Sequence, residues 1–222
     1  MSVLALQSCT DNLVYTGTDI EVVLTGNTYQ AAFTESSPVS TFNSGNQILL
    51  NASGSLQIDN RILTYMDNQW KAENEFSWSD LTGKTNVTAV YPVYPDLDYV
   101  QENLYKNNSL EDILYVKDEF PAGNSIHLQF KHLFSLLTLH LEGNLQTYFQ
   151  KIEVTCPAVS SIIPKSAEIV LADNGTHTTT IAQVSPSGNY SFIVPPVGNM
   201  VIAINMVTNG KKYTTQLETK SF

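Results

Sequence analysis

Between Phe130 and Leu141 the chain reads F-K-H-L-F-S-L-L-T-L-H-L, its longest strongly apolar run, and the run closes on the turn residues Glu142-Gly143-Asn144. These twelve residues are too few to cross a bilayer as a helix, and Lys131, His132 and His140 interrupt them, so the run belongs in a protein core. A period of two puts Phe130, His132, Phe134, Leu136, Thr138 and His140 on one face and Leu133, Leu137, Leu139 and Leu141 on the other. Apolar residues on both faces predict a strand covered on both sides, as in a sandwich core, with a bulge or helical turn near His132 to Ser135.

The rest of the chain follows the same pattern in shorter pieces. Residues 13–60 alternate apolar runs (Ile20–Leu24, Tyr29–Phe33, Ile48–Leu50) with turn residues at Gly26-Asn27, Ser36-Ser37-Pro38, Gly45-Asn46 and Gly54. Val87 to Tyr91 reads as a strand that must leave its sheet at Pro92, because proline cannot donate to a ladder. From Asp96 to Glu119 the chain is acidic and irregular, with one short helical turn expected around Tyr99 to Tyr105. Extended structure resumes at Asp112-Ile113-Leu114-Tyr115. Beyond Gly143, strands are expected at Ile152–Thr155, Ile169–Leu171, Thr178–Val184, Tyr190–Val194 and Val201–Val207. They are punctuated by Asn174-Gly175, Pro186-Ser187-Gly188-Asn189 and Pro195-Pro196, and Asn209-Gly210 gives the clearest hairpin. With 222 residues there is room for one large or two small all-β units. A boundary near Gly143 to Thr147 divides the chain into 1–12 as a leader remnant or tether, 13–145 as an N-terminal domain and 146–222 as a C-terminal one.

Charge bears on partners. Residues 1–120 hold 16 acidic and 5 basic side chains while residues 121–222 hold 5 and 6, so nucleic acid is a poor partner for either half. No Lys or Arg occurs before Arg61.

Chemistry-bearing motifs are missing. The sequence has no Gly-x-Ser-x-Gly elbow, His-Glu-x-x-His, Cys-x-x-Cys or phosphate-binding glycine loop. His132 and His140 share strand parity but stand eight residues apart, roughly 26 Å in an ideal strand, too far for one metal. They read as framework groups. The carboxylates of 96–119 lack an Asp-x-Asp-x-Asp-Gly loop and read as a solvated connection rather than a calcium site. No enzyme, metal or cofactor is therefore expected. Trp70 and Trp78 admit two readings: ligand-contact aromatics on a carbohydrate platform, or fillers of a sandwich core. Five Asn-x-Ser/Thr triplets, starting at Asn51, Asn86, Asn107, Asn174 and Asn189, fit a chain rich in Asn and Thr.

Two cysteines rule out a disulfide framework. Cys9 ends the apolar tract Val3-Leu4-Ala5-Leu6-Gln7-Ser8 and precedes polar Thr10-Asp11-Asn12, which resembles the end of a bacterial lipoprotein signal. Cys9 is thus a lipidation candidate whose true start would lie upstream of Met1; otherwise it is a free thiol or pairs with Cys156.

Taken in order, several stretches resemble the fimbrillin family of Bacteroides-type bacteria, the subunits and accessory proteins of type V pili. They are Ser8-Cys9-Thr10-Asp11, Phe42-Asn43-Ser44-Gly45-Asn46-Gln47-Ile48, Tyr65 followed by Trp70, Phe76-Ser77-Trp78, Val87-Thr88-Ala89-Val90-Tyr91-Pro92, Asp112-Ile113-Leu114-Tyr115 and His127 to Leu139. The resemblance covers about residues 8–142; strand spacing and the Gly210-Lys211-Lys212-Tyr213-Thr214 hairpin extend it more weakly over 150–217. It implies two tandem transthyretin-like, Greek-key β-sandwiches and export as an outer-membrane lipoprotein displayed at the cell surface. It further implies partnership with other fimbrial subunits by β-strand addition after an Arg- or Lys-directed protease removes the first strand. Host or bacterial surface proteins or glycans are the further partners it suggests, with the membrane met through a lipid anchor alone. This sequence departs from the family at the cleavage step, because the segment near Thr28-Tyr29-Gln30-Ala31 has no basic residue. The expectation is a tip, accessory or stand-alone adhesin rather than a shaft subunit. A shaft subunit with different processing, lacking a further strand after Leu217, and a secreted glycan-binding β-sandwich are the alternatives.

Overall fold

A computed structural model describes residues 4–7, 12–15, 20–25, 32–33, 39, 41–72, 82–121, 126–141, 149–184, 188–196, 201–208 and 211–218. The described residues are almost entirely β, as expected. In chain order the strands are β1 (Leu4–Gln7), β2 (Asn12–Tyr15), β3 (Ile20–Thr25), β4 (Ala32–Phe33), β5 (Gln47–Gly54), β6 (Ile58–Met66), β7 (Gln69–Ala72) and β8 (Thr85–Tyr91). A helical turn α1 (Gln101–Leu104) follows, then β9 (Tyr105–Lys106), β10 (Ser109–Leu110), β11 (Leu114–Phe120), β12 (Ile126–His132) and β13 (Ser135–Leu141). The last are β14 (Phe149–Ile163), β15 (Glu168–Val184), β16 (Gly188–Val194), β17 (Val201–Thr208) and β18 (Lys211–Glu218).

The larger sheet runs β2-β3-β12-β11-β8-β5-β6-β7. Alternate residues of its strands, among them Ile48, Leu50, Leu63, Val87, Ala89, Leu114, Val116, Leu128 and Phe130, form one apolar core with Phe42. A second core lies between the sheet β1-β13-β16-β4 and the sheet β15-β14-β17-β18, where Leu137, Leu139, Tyr190 and Phe192 meet Ile152, Val154, Ile202 and Ile204.

The apolar run is therefore not one strand. It breaks at Leu133-Phe134, and both residues are buried although they are neighbours, which an alternating strand facing a single core does not allow. The Leu133 N–H donates to the Ile113 carbonyl at 2.7 Å, and the chain crosses from the larger sheet into the sheet β1-β13-β16-β4. There β13 pairs antiparallel with β16 along its whole length, from Ser135↔Val194 to Leu141↔Gly188.

A third core surrounds this crossing. Leu49 and Val90 from the back of the larger sheet, Tyr99, Leu104 and Ile113 from the connection, Leu133, Phe134, Leu136 and Ile193, and Val159 and Ile162 of β14 pack together. The β14–β15 hairpin ties it down. Its Ile162 N–H donates to the Tyr99 carbonyl at 2.9 Å, and its Val159 N–H donates to the Tyr105 hydroxyl, also at 2.9 Å.

Local chemistry explains the turns. Asp67-Asn68 and Asn107-Asn108 adopt positive φ in two-residue loops joining β6 to β7 and β9 to β10, a conformation that Asn and Asp tolerate. β17 and β18 pair from Val201↔Glu218 to Thr208↔Lys211, the expected hairpin, although Asn209 and Gly210 themselves lie outside the described residues. Asn174-Gly175 behaves differently from its reading as a turn between two strands. The ladder jumps from Pro157↔Thr176 to Val159↔Leu171, so these residues sit in an irregularity within the single long strand β15. A Cβ on Gly175 would stand 2.7 Å from that of Ala172, which is why glycine occupies the bend.

Candidate functional site

The residues of interest are those that begin and border the sheets. β1 pairs antiparallel with β13, from Leu4↔Leu139 to Gln7↔Leu136, and β4 pairs parallel with β16 through Ala32 and Phe33. β3 runs parallel to β12, from Ile20↔Ile126 to Leu24↔Phe130, and β2 closes that end through its antiparallel pairing with β3. Residues 4–33 thus supply the outermost strands beside β12, β13 and β16 in two different sheets. At the other border, β18 is the outer strand of its sheet among the described residues, and Lys211 to Gln216 are all exposed. An outer strand offers one unused row of N–H and C=O groups, and this is the feature through which a further strand can add.

Parallel pairing of β3 with β12 joins segments about a hundred residues apart in sequence. Such pairing needs a long crossover, so no local periodicity announces it. The runs Ile20–Leu24 and Tyr29–Phe33 signalled strands, but nothing in them signalled their neighbours.

The individual candidates are scattered. Cys9 lies outside the described residues, between the end of β1 and the start of β2. Cys156 is a free thiol on β14, 6% exposed, and burial pushes it up to about 11 from its ordinary 9.0, so it is unreactive at neutral pH. Trp70, on β7, is partly buried against the first core. Its ring lies edge-on to Phe42 at 5.1 Å and tilted against Tyr65 at 5.1 Å, and its buried Nε1–H has no hydrogen-bond partner among the described residues. Trp78 lies outside the described residues.

The acidic connection is held within the protein. The Tyr94 hydroxyl donates to Glu111 at 2.9 Å, and burial with the Glu111 charge drives the phenol pKa strongly upward. Lys106 stands 3.8 Å from the same carboxylate. Asp112 is engaged by Val39 and His132, and His140 Nδ1 lies 2.6 Å from Asn189 Oδ1. Among the described residues no three His, Cys, Asp or Glu side chains converge on a metal position, and no helix is long and apolar enough to cross a membrane.

Residues 10–222 match the family model described as fimbrillin-like. A crystal structure of a Bacteroides ovatus protein provisionally assigned to cell adhesion superposes with a TM-score of 0.54 at 14% identity, over 90% of this chain and 86% of that one. A fimbrial protein from Bacteroides ovatus gives a TM-score of 0.48 at 15% identity, over 94% of this chain and 46% of that one. No curated protein matches the sequence.

Proposed function

Because the chain belongs to the fimbrillin-like family, we propose that it is a cell-surface adhesion protein of a fimbrial system that keeps its own N-terminal strands. On this reading it is a tip, accessory or stand-alone adhesin rather than a protease-matured shaft subunit, and it acts by binding rather than by catalysis. One observation carries the reading: β2, β3 and β4, within residues 12–33, lie on the borders beside β12 and β16, yet no Lys or Arg precedes Arg61. Arg61 itself lies within strand β6, paired with Leu50 of β5 and only partly exposed, which is a poor site for a protease that needs a loose, accessible segment. The strands that an Arg- or Lys-directed protease would have to remove therefore stay in place.

The proposal has three further parts. The chain is lipidated at Cys9 and anchored by that lipid in the outer membrane. Fimbrial partners add a strand along the open side of β18. The two units divide at Leu133-Phe134, where the strand partners change from β11 and β3 to β16 and β1.

Intact mass and N-terminal sequencing of the protein extracted from cell surfaces test this reading, before and after incubation with a trypsin-like protease. The expected chain begins at a lipid-modified Cys9 and retains residues 12–33. A chain beginning within residues 25–40 that assembles into oligomers would overturn strand retention, and an unmodified Cys9 would refute the anchor.

A further inference from the structure

The back of the larger sheet changes character along its length. At one end Leu49 and Val90 are buried in the third core. Further along, the same alternation presents Asn51 and Ser53 on β5, Thr88 and Asn86 on β8, and Lys117 and Glu119 on β11. Register aligns them in two rows across three strands, Asn51↔Thr88↔Lys117 and Ser53↔Asn86↔Glu119, with neighbours about 4.8 Å apart. One wall comes from β6. There the ladder slips between Leu50↔Arg61 and Ala52↔Ile58, and Asn60 takes a φ of 49°. The Asn60 N–H released by this bulge donates to Asn51 Oδ1 at 2.9 Å. The tip of the β14–β15 hairpin adds Lys165, whose Nζ donates to Asp59 Oδ1 at 2.6 Å and holds that carboxyl below its ordinary range. Together these elements line an open cleft of about 550 Å³ in which polar side chains stand among apolar surface.

We propose that this cleft binds a saccharide, a neutral or N-acetylated sugar of one or two rings. The proposal deepens the adhesion reading by naming a ligand class, and it rests on that reading only for its biological use.

The floor dictates how a ligand can be read. Around the cleft β5 and β8 are hydrogen-bonded on both sides, so their backbone has no free row for an added peptide strand. Recognition there falls to side chains, and the two rows interleave amides, hydroxyls, an ammonium and a carboxylate. Sugar hydroxyls both donate and accept, so each finds a complement within one strand spacing. An apolar ligand would strand these groups without water. An anionic ligand would meet Asp59, Asp118 and Glu119 against Lys117 and Lys165. Capacity is also left over: Asn51 is 7% exposed, and with its Oδ1 engaged by Asn60 its Nδ2 has no hydrogen-bond partner among the described residues. Lys117 lines the cleft and forms no ion pair with any described residue. Among the described residues no aromatic ring lines the cleft, so a single copy binds weakly and many copies on a surface supply avidity.

The test is a protein-observed NMR titration of the full chain with N-acetylglucosamine, lactose, maltose, cellobiose and diacetylchitobiose, each up to about 20 mM, the range that a millimolar Kd requires. The expected result is that at least one sugar shifts amides of residues 51–53, 57–59, 86–88 and 117–119. Lys117→Ala and Asn86→Ala, both at exposed positions, should each weaken that binding about tenfold at an unchanged thermal midpoint. Lys212→Ala, on β18 and outside the cleft, should bind as the parent does. Absence of shifts with all five sugars, shifts confined to other residues, or equal binding by both cleft variants would overturn the proposal. None of those outcomes bears on strand retention, which is decided by the mature N-terminus.

Discussion

Asp112 Oδ2 accepts a hydrogen bond from the Val39 N–H at 2.7 Å and lies 2.7 Å from His132 Nδ1, with Asp112 and His132 side chains only 3% and 8% exposed. The pair joins the segment before β5, the approach to β11 and the end of β12, next to the Leu133-Phe134 crossing. Asp112→Ala would leave a buried imidazole and a backbone donor unpartnered, so we expect a loss of about 3 kcal/mol in urea unfolding. Asp112→Asn keeps an acceptor and should lose less. Trp70 contacts two core aromatics, and Trp70→Ala should cost about 3 kcal/mol and lower the thermal midpoint. Loss of sugar binding at unchanged stability would instead make Trp70 a ligand contact. Cys156 gives a pH prediction. Its thiol holds its proton to a higher pH in the folded chain than in the unfolded one, so its contribution is complete below about pH 9 and disappears as pH rises through about 11. Tyr91, Tyr94 and Tyr99, all raised mainly by burial, act in the same direction. Chemical unfolding at pH 8 and 10.5 should show lower stability at the higher pH, and a thiol reagent at pH 8 should label Cys156 only on unfolding.

Among elements, the long β14–β15 hairpin matters most, because it serves two cores at once. Its base carries Ile152 and Val154 into the second core, and its distal half carries Val159 and Ile162 into the third. Ile162 is 4% exposed, and Ile162→Ala removes packing in the third core, where the hairpin meets the back of the larger sheet. We expect it to cost about 3 kcal/mol. Calorimetry should also show broader or split unfolding, whereas a truncation inside one core, Leu50→Ala, should lower a single transition. Gly54 belongs to this scale too, since it ends β5 at φ +132° with the Lys84 carbonyl 2.5 Å from where a Cβ would lie. The period-two pattern announced these strands one at a time. It could not announce that Asn174-Gly175 would be absorbed as an irregularity, because a bulge and a turn ask for the same residues.

For the whole molecule, the N-terminal strands are the controlling feature. Deleting residues 1–33 would uncover the bordering rows of β12, β13 and β16, and the shortened chain should associate or precipitate where the full chain stays monomeric by light scattering. Alternation of apolar and turn residues determined the all-β class, because period-two burial and Gly/Asn/Pro punctuation are local properties. Sequence alone also determined that no basic residue precedes Arg61, and so which proteases are excluded from the first 60 residues. Partnership was decided in three dimensions. That the apolar run Ile20–Leu24 lies beside Ile126–Phe130 follows from a parallel crossover, whose entropy is met only by the assembled core. The split of Phe130–Leu141 between two sheets has the same origin: a largely apolar run of twelve residues fits one two-sided strand or two one-sided strands equally well. Only packing of Leu133 and Phe134 into a third core selects the second arrangement.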